Sequence, residues 1–219
     1  MGPIRTMVAV AAIIVATTAE AQRSAKTSIA VTPYFGLVSP GRELLLRPGL
    51  DPLRDPESQA LLGVVGGRLT VALSEKLGVE ADVGLGKSGL QVSRLSAPSG
   101  TNAKVTTMSG RLVYRTKPVT EPSSITLHAG VGSVSRRFTE KSGAPSLIEN
   151  GSNLGAVLGA SIGFRMTART ALMITAEDYL YNASFDVATP GGGAVRRSQS
   201  LTQNDIRVVV GVRFALVGQ

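Results

Sequence analysis

The stretch that most constrains this chain lies near its end, at residues 204–216, where Ile206, Val208, Val210, Val212, Phe214 and Leu216 fall on one face of an extended strand. Arg207, Val209, Gly211, Arg213 and Ala215 fall on the other. A period of two excludes a helix, and the run is longer than the roughly 5–6 residues of an ordinary soluble strand. It suits the roughly 9–11 residues with which a tilted strand crosses a bilayer. The chain is therefore expected to be all-β and to meet lipid with one face of its strands.

The first residues agree with export. Arg5 precedes an apolar run over residues 7–18, and Ala19-Glu20-Ala21 supplies small residues around a cleavage point, so residues 1–21 read as a secretory signal peptide. As a helix, that run would rise only about 18 Å against a hydrocarbon core of about 30 Å, which argues against an anchor. Residues 22–219 then form one domain. Cysteine is absent, so disulfides and thiolate metal sites are excluded. The net charge of +8 would suggest nucleic acid in a cytoplasmic protein. In an exported chain it points to anionic lipid headgroups or to a solvated basic surface, and no nucleic-acid partner is expected.

Alternating apolar residues predict eight strands, at 27–38, 60–73, 77–93, 103–116, 124–137, 153–166, 171–187 and 204–216, with a bulge near Glu177 and Asp178. Their connections alternate long and short, as in barrels with short turns at one rim and long loops at the other. Aromatic residues suggest two girdles. Phe35, Phe138, Tyr179, Tyr181 and Phe185 would lie at the outer rim, and Tyr114, Phe164 and Phe214 at the inner one.

With its leader, strand count, loop alternation and final strand, the sequence resembles the small eight-stranded outer-membrane barrels of the outer-membrane protein A, X and W kind. The resemblance implies an eight-stranded antiparallel up-and-down transmembrane β-barrel in the outer membrane of a Gram-negative-type bacterium. It implies contact with membrane lipids including lipopolysaccharide and handling by the outer-membrane assembly machinery; the oligomeric state is left open by the sequence, with a monomer favoured. The rival architecture is a secreted, soluble, lipocalin-like carrier of an apolar ligand, which is also an eight-stranded barrel. The polar face decides for the membrane. Gly110, Gly130, Gly132, Gly155, Gly159, Gly163 and Gly211, with Ser, Thr and scattered Arg, suit a narrow packed lumen better than a solvated exterior.

Little in the sequence points to catalysis. Gly84-Leu-Gly-Lys-Ser-Gly89 imitates a nucleotide-binding loop, but an extended run follows it where a phosphate-binding helix is required. His128 is the only histidine, faces the expected lumen and has no serine beside it in sequence. A lipid A-modifying hydrolase is the enzymatic alternative, and no catalytic residue, cofactor or metal is assigned. Glu177 and Asp178 point to opposite faces and cannot act as an acid pair. A structural lumen charge network is expected from Arg68, Glu80, Asp82, Arg111, His128, Arg165, Glu177, Arg207 and Arg213. A tight turn at 74–76 should bring Arg68 opposite Asp82 within about one residue, with Glu80 one same-face step nearer the turn. Arg136, Arg137, Arg196 and Arg197 are the candidate headgroup contacts. The expected role is that of a structural or surface-interaction protein acting through its outer loops.

Overall fold

Each alternating segment offers hydrogen-bonding edges on both sides, and the chain satisfies them by closing the sheet on itself. The computed structural model describes residues 28–40, 57–59, 61–92, 97–116, 122–140, 151–187 and 197–217. These form β1 (Ser28–Pro40), β2 (Glu57–Gln59), β3 (Leu62–Ala72), β4 (Leu77–Val92), β5 (Ala97–Arg115), β6 (Ser123–Glu140), β7 (Gly151–Arg165), β8 (Thr170–Val187) and β9 (Arg197–Val217). The sheet order is β2-β4-β3-β1-β9-β8-β7-β6-β5, and β4 also pairs with β5. β1 and β3–β9 thus make a closed, eight-stranded antiparallel barrel. β2 is a short addition that pairs with β4 at Leu90–Val92, beyond the end of β3.

The two faces separate cleanly. Ile206, Val208, Phe214 and Leu216 of β9 are exposed, whereas Asp205, Arg207, Val209 and Gly211 are buried. The same inversion runs round the wall, with Phe35, Leu69, Leu85, Leu112, Leu127 and Leu158 outside and Arg68, Asp82, Arg111 and Glu177 inside. Soluble monomers rarely expose contiguous apolar patches of more than a few hundred Å², and this belt needs lipid to cover it. A lipocalin-like carrier requires a hollow apolar interior, and this barrel has a charged, filled one.

Several expectations need correction. The strands outrun the apolar belt: β4 reaches Val92, β5 begins at Ala97 and β9 at Arg197, so much of the expected loop at 94–102 and of the last long loop is paired sheet. Alternating hydrophobicity ends where lipid ends, whereas ladder hydrogen bonds continue into water. No bulge occurs at Glu177–Asp178, where β8 keeps unbroken register with both neighbours. Register shifts occur instead at Ile29/Ala30 and at Gly89/Gln91. Tyr179 and Tyr181 point into the lumen, 2% and 4% exposed, and leave the outer girdle. Phe35 remains outside, while the side chains of Phe138 and Phe185 lie outside the described residues. Tyr114, Phe164 and Phe214 are exposed and pair with Leu77, Leu172 and Thr170, next to the short turns. Gly110 faces outward into open space rather than into the lumen. Residues 1–21 lie outside the described residues.

Candidate functional site

Short turns set the register that brings the lumen charges together. Between β3 and β4, the Leu73 and Ser74 amides donate to the Leu77 carbonyl, and the Leu77 amide returns a bond to Ser74 Oγ at 3.0 Å. The hairpin so fixed puts Arg68 directly opposite Asp82 and Thr70 opposite Glu80. On the far wall, β8 and β9 set Glu177 opposite Arg207. Side chains from both walls meet across a lumen only as wide as the side chains themselves.

Glu177 is the hub. It accepts hydrogen bonds from Arg68 Nη2 at 2.5 Å, from Arg207 Nε at 2.8 Å and, more closely still, from Arg111 Nη1 and Arg207 Nη2. Asp82 accepts from Arg68 Nε at 2.9 Å and Arg207 Nη2 at 2.8 Å, with Arg111 Nη2 3.1 Å away. Glu80 lies 3.9 Å from Arg68 and 3.5 Å from Arg111, and it accepts from Thr70 Oγ1 at 2.9 Å. Three guanidiniums therefore face three carboxylates, and the cluster is neutral as a whole.

Tyr34, which the sequence reading did not assign to this cluster, holds its middle. Its hydroxyl donates towards Asp82 Oδ1 and the Val83 carbonyl and accepts from Arg207 Nη1 at 2.9 Å, while Arg68 and Arg207 stack 5.0 and 5.1 Å from its ring. A second layer nearer the long connections joins Arg136 to Asp205 at 2.5 Å, with the Tyr181 hydroxyl on the same carboxylate at 2.9 Å. Arg136 is thus a lumen residue, 1% exposed, and not a headgroup contact. Arg137 is exposed on the outer face; Arg196 and the side chain of Arg197 lie outside the described residues. Arg165 and Arg213 sit on lumen positions at the short-turn mouth rather than in the cluster: Arg165 is exposed and donates to the Thr167 carbonyl at 3.3 Å. Arg115, buried at the same end, was missed, although it shares strand parity with Arg111.

The lumen has no spare room at this level. A Cβ built on Gly159 would come within 2.6 Å of the Ala176 carbonyl and 2.8 Å of His128, and one on Gly84 within 2.6 Å of Thr107 Oγ1. These glycines allow the charged side chains to pass close to the wall.

His128 has company that sequence proximity did not show. Its Nε2 lies 3.0 Å from Ser161 Oγ on β7, and its Nδ1 lies 3.9 Å from Glu177. The trio imitates a hydrolase triad, but the hydrogen-bond directions oppose one. Arg111 Nη1, which can only donate, lies 3.3 Å from Nδ1 and makes that nitrogen the acceptor. Nε2 then carries the proton and donates to Ser161, whereas a general base must accept the serine proton there. Ser161 is free to donate its own proton to Thr175 Oγ1 at 2.8 Å. All of these groups are buried from lipid and water. Among the described residues no group of three or more His, Cys, Asp or Glu is placed to hold a metal ion.

What this arrangement does physically is close the barrel with a hydrogen-bonded charge plug. A double-mutant cycle on Arg68→Ala and Asp82→Ala, read by urea unfolding in lipid vesicles, is expected to give a coupling of about 1–3 kcal/mol. Small, additive effects would describe a wet lumen instead.

Comparison with known proteins agrees with this geometry. The structure is similar to that of OprG from Pseudomonas aeruginosa, with TM-score 0.67 and 12% identity over 89% of this chain and 97% of that one. It is also similar to AlkL, determined by solid-state NMR in lipid bilayers, with TM-score 0.58 and 16% identity over 90% and 93% of the two chains. Escherichia coli outer membrane protein W gives TM-score 0.52 and 10% identity over 88% and 100%. At such identities these likenesses speak for the fold alone. No curated protein matches the sequence. The family model of the outer membrane protein beta-barrel domain matches residues 8–214, and the chain, a small closed barrel with an apolar outside and a charged inside, belongs to that family.

Proposed function

We propose that this outer-membrane barrel is non-enzymatic, is exported by the signal peptide at residues 1–21, and serves as a structural or surface-interaction protein through the rim that bears its long connections. The observation that carries the reading is the plug: Arg68, Asp82, Arg111, Glu177 and Arg207 fill the lumen with groups that bond to one another. A filled lumen supports neither solute passage nor a substrate cleft. The directed bonds around His128 argue against a hydrolase. Activity is then left to the outer surface and the long connections.

The test is electrical. Purified protein inserted into planar bilayers should give no stepwise ion conductance at neutral pH, and discrete, reproducible openings would reject the closed lumen. The rims should also differ in tolerance. The described β8–β9 ladder begins at Val187 opposite Arg197, so deletions confined to residues 189–196, which lie outside the described residues, leave every described pairing in place. Inserting three residues at Glu75 breaks the turn that sets β3 against β4. Assembly, read by heat-modifiable gel migration, should survive the deletion and fail with the insertion; the reverse result would overturn the assignment of the two rims.

A further inference from the structure

On the outer face, at the end of the barrel that bears the long connections, three cations stand in one row. Lys87 of β4 is directly opposite Lys104 of β5, and Lys104 is directly opposite Arg137 of β6. All three side chains are exposed, and none is paired with a carboxylate among the described residues. Strands lie about 4.8 Å apart, so the row spans roughly 10 Å. Like charges directly opposed across strands destabilise a sheet unless something neutralises them. In the central lumen Arg68, Arg111 and Arg207 are matched by Glu80, Asp82 and Glu177; here no carboxylate among the described residues does so.

The surroundings specify the missing counter-charge. The next row towards the short turns reads Leu85, Thr106 and Ser135, and the one after it Val83, Met108 and Ser133. Cations thus give way to hydroxyls and then to the apolar belt, over a distance of two residue pairs. Beside them, Gly63 pairs with Lys87 and has open space where a side chain would stand. Gly63, Val65, Leu85, Gly86, Lys87, Asn102 and Lys104 line a recess of about 580 Å³. A soluble anion would use the cations only. A ligand with phosphate at one end, polar linkages next and acyl chains below would use all three layers and the recess.

We propose that Lys87, Lys104 and Arg137 form a binding site on the outer wall for a phosphorylated, multiply acylated lipid of the outer leaflet, with its phosphate on the cation row and an acyl chain along Val65 and Leu85. The site rests on the reading that the long-connection end faces outward. It makes one lipid a fixed part of the barrel surface, held by charge-assisted bonds from three strands.

The test is native mass spectrometry of the folded protein in mild detergent, with bisphosphorylated lipid A, its fully dephosphorylated counterpart and inorganic phosphate as probes. The wild type should retain one phosphorylated lipid. The triple variant Lys87→Gln, Lys104→Gln, Arg137→Gln should lose retention by at least about tenfold, while Lys76→Gln, Arg165→Gln, Arg169→Gln, an equal charge change at the other rim, should keep it. Heat-modifiable migration shows that each variant is folded. Undiminished retention in the first triple, equal loss in the second, or equal retention of the dephosphorylated lipid would each overturn the site. Displacement of the lipid by millimolar phosphate would overturn the role of the acyl chains. None of these outcomes bears on bilayer conductance, so this site can fail while the closed, non-enzymatic barrel stands.

Discussion

Glu177→Ala is expected to destabilise the folded barrel by about 3–5 kcal/mol, because it removes one partner from a buried, interlocked charge cluster. Glu177 is 2% exposed and receives bonds from Arg68, Arg111 and Arg207. Without it, three guanidiniums face only Asp82 and the partly exposed Glu80, leaving one excess positive charge in a lumen whose walls are strands rather than water. Glu177→Gln preserves volume and one acceptor, so it separates packing from charge; most of the loss should remain. Urea titration in lipid vesicles reads both variants. A loss below about 1 kcal/mol would show that water reaches these groups and screens them, as at a surface pair.

Val210→Arg should cost about 2–4 kcal/mol in a bilayer, although the same strand already carries Arg207 and Arg213. Face decides the difference. Val210 lies outward, between Phe35 on β1 and Ile174 on β8, where a guanidinium meets hydrocarbon with no carboxylate within reach. Thr202→Arg, on the same face but beyond Ile206 towards the long connection, should cost close to nothing because it reaches the headgroup region or water. Refolding into vesicles with equal effects at both positions would contradict the placement of the apolar belt.

Face and register were legible in the sequence wherever strict alternation met a short turn. The β3–β4 connection leaves Arg68 and Asp82 no other pairing, and the outward set of β9 could be read residue by residue. What misled was height in place of parity. Arg136 and Arg137 look like one basic pair near a loop, yet they are consecutive strand residues and must point apart; Arg136 shares its parity with His128 and goes inside. Tyr179 and Tyr181 follow Glu177 inward for the same reason. Gly110, next to Arg111, had to face out. Other features lay beyond any local reading. Ser161 reaches His128 from 33 residues away, as its diagonal cross-strand neighbour two residues beyond Gly159, to which His128 is paired. Strand ends that continue into water carry no hydrophobic signal to mark them.

Arg207 has a further significance, for the order in which the barrel is made. It sits on the last strand and bonds to Tyr34 of β1, Thr107 of β5 and Glu177 of β8, with Asp82 of β4 on its other nitrogen. Before β9 joins both β8 and β1, two carboxylates of the interior lack their shared cation and both edges of the open sheet are unpaired. Contacts separated by 173 residues cannot form early, because the chain between them must be ordered first. Closure and neutralisation therefore arrive together in one late step, and an incompletely inserted barrel is distinguished from a finished one by unbalanced charge at its centre.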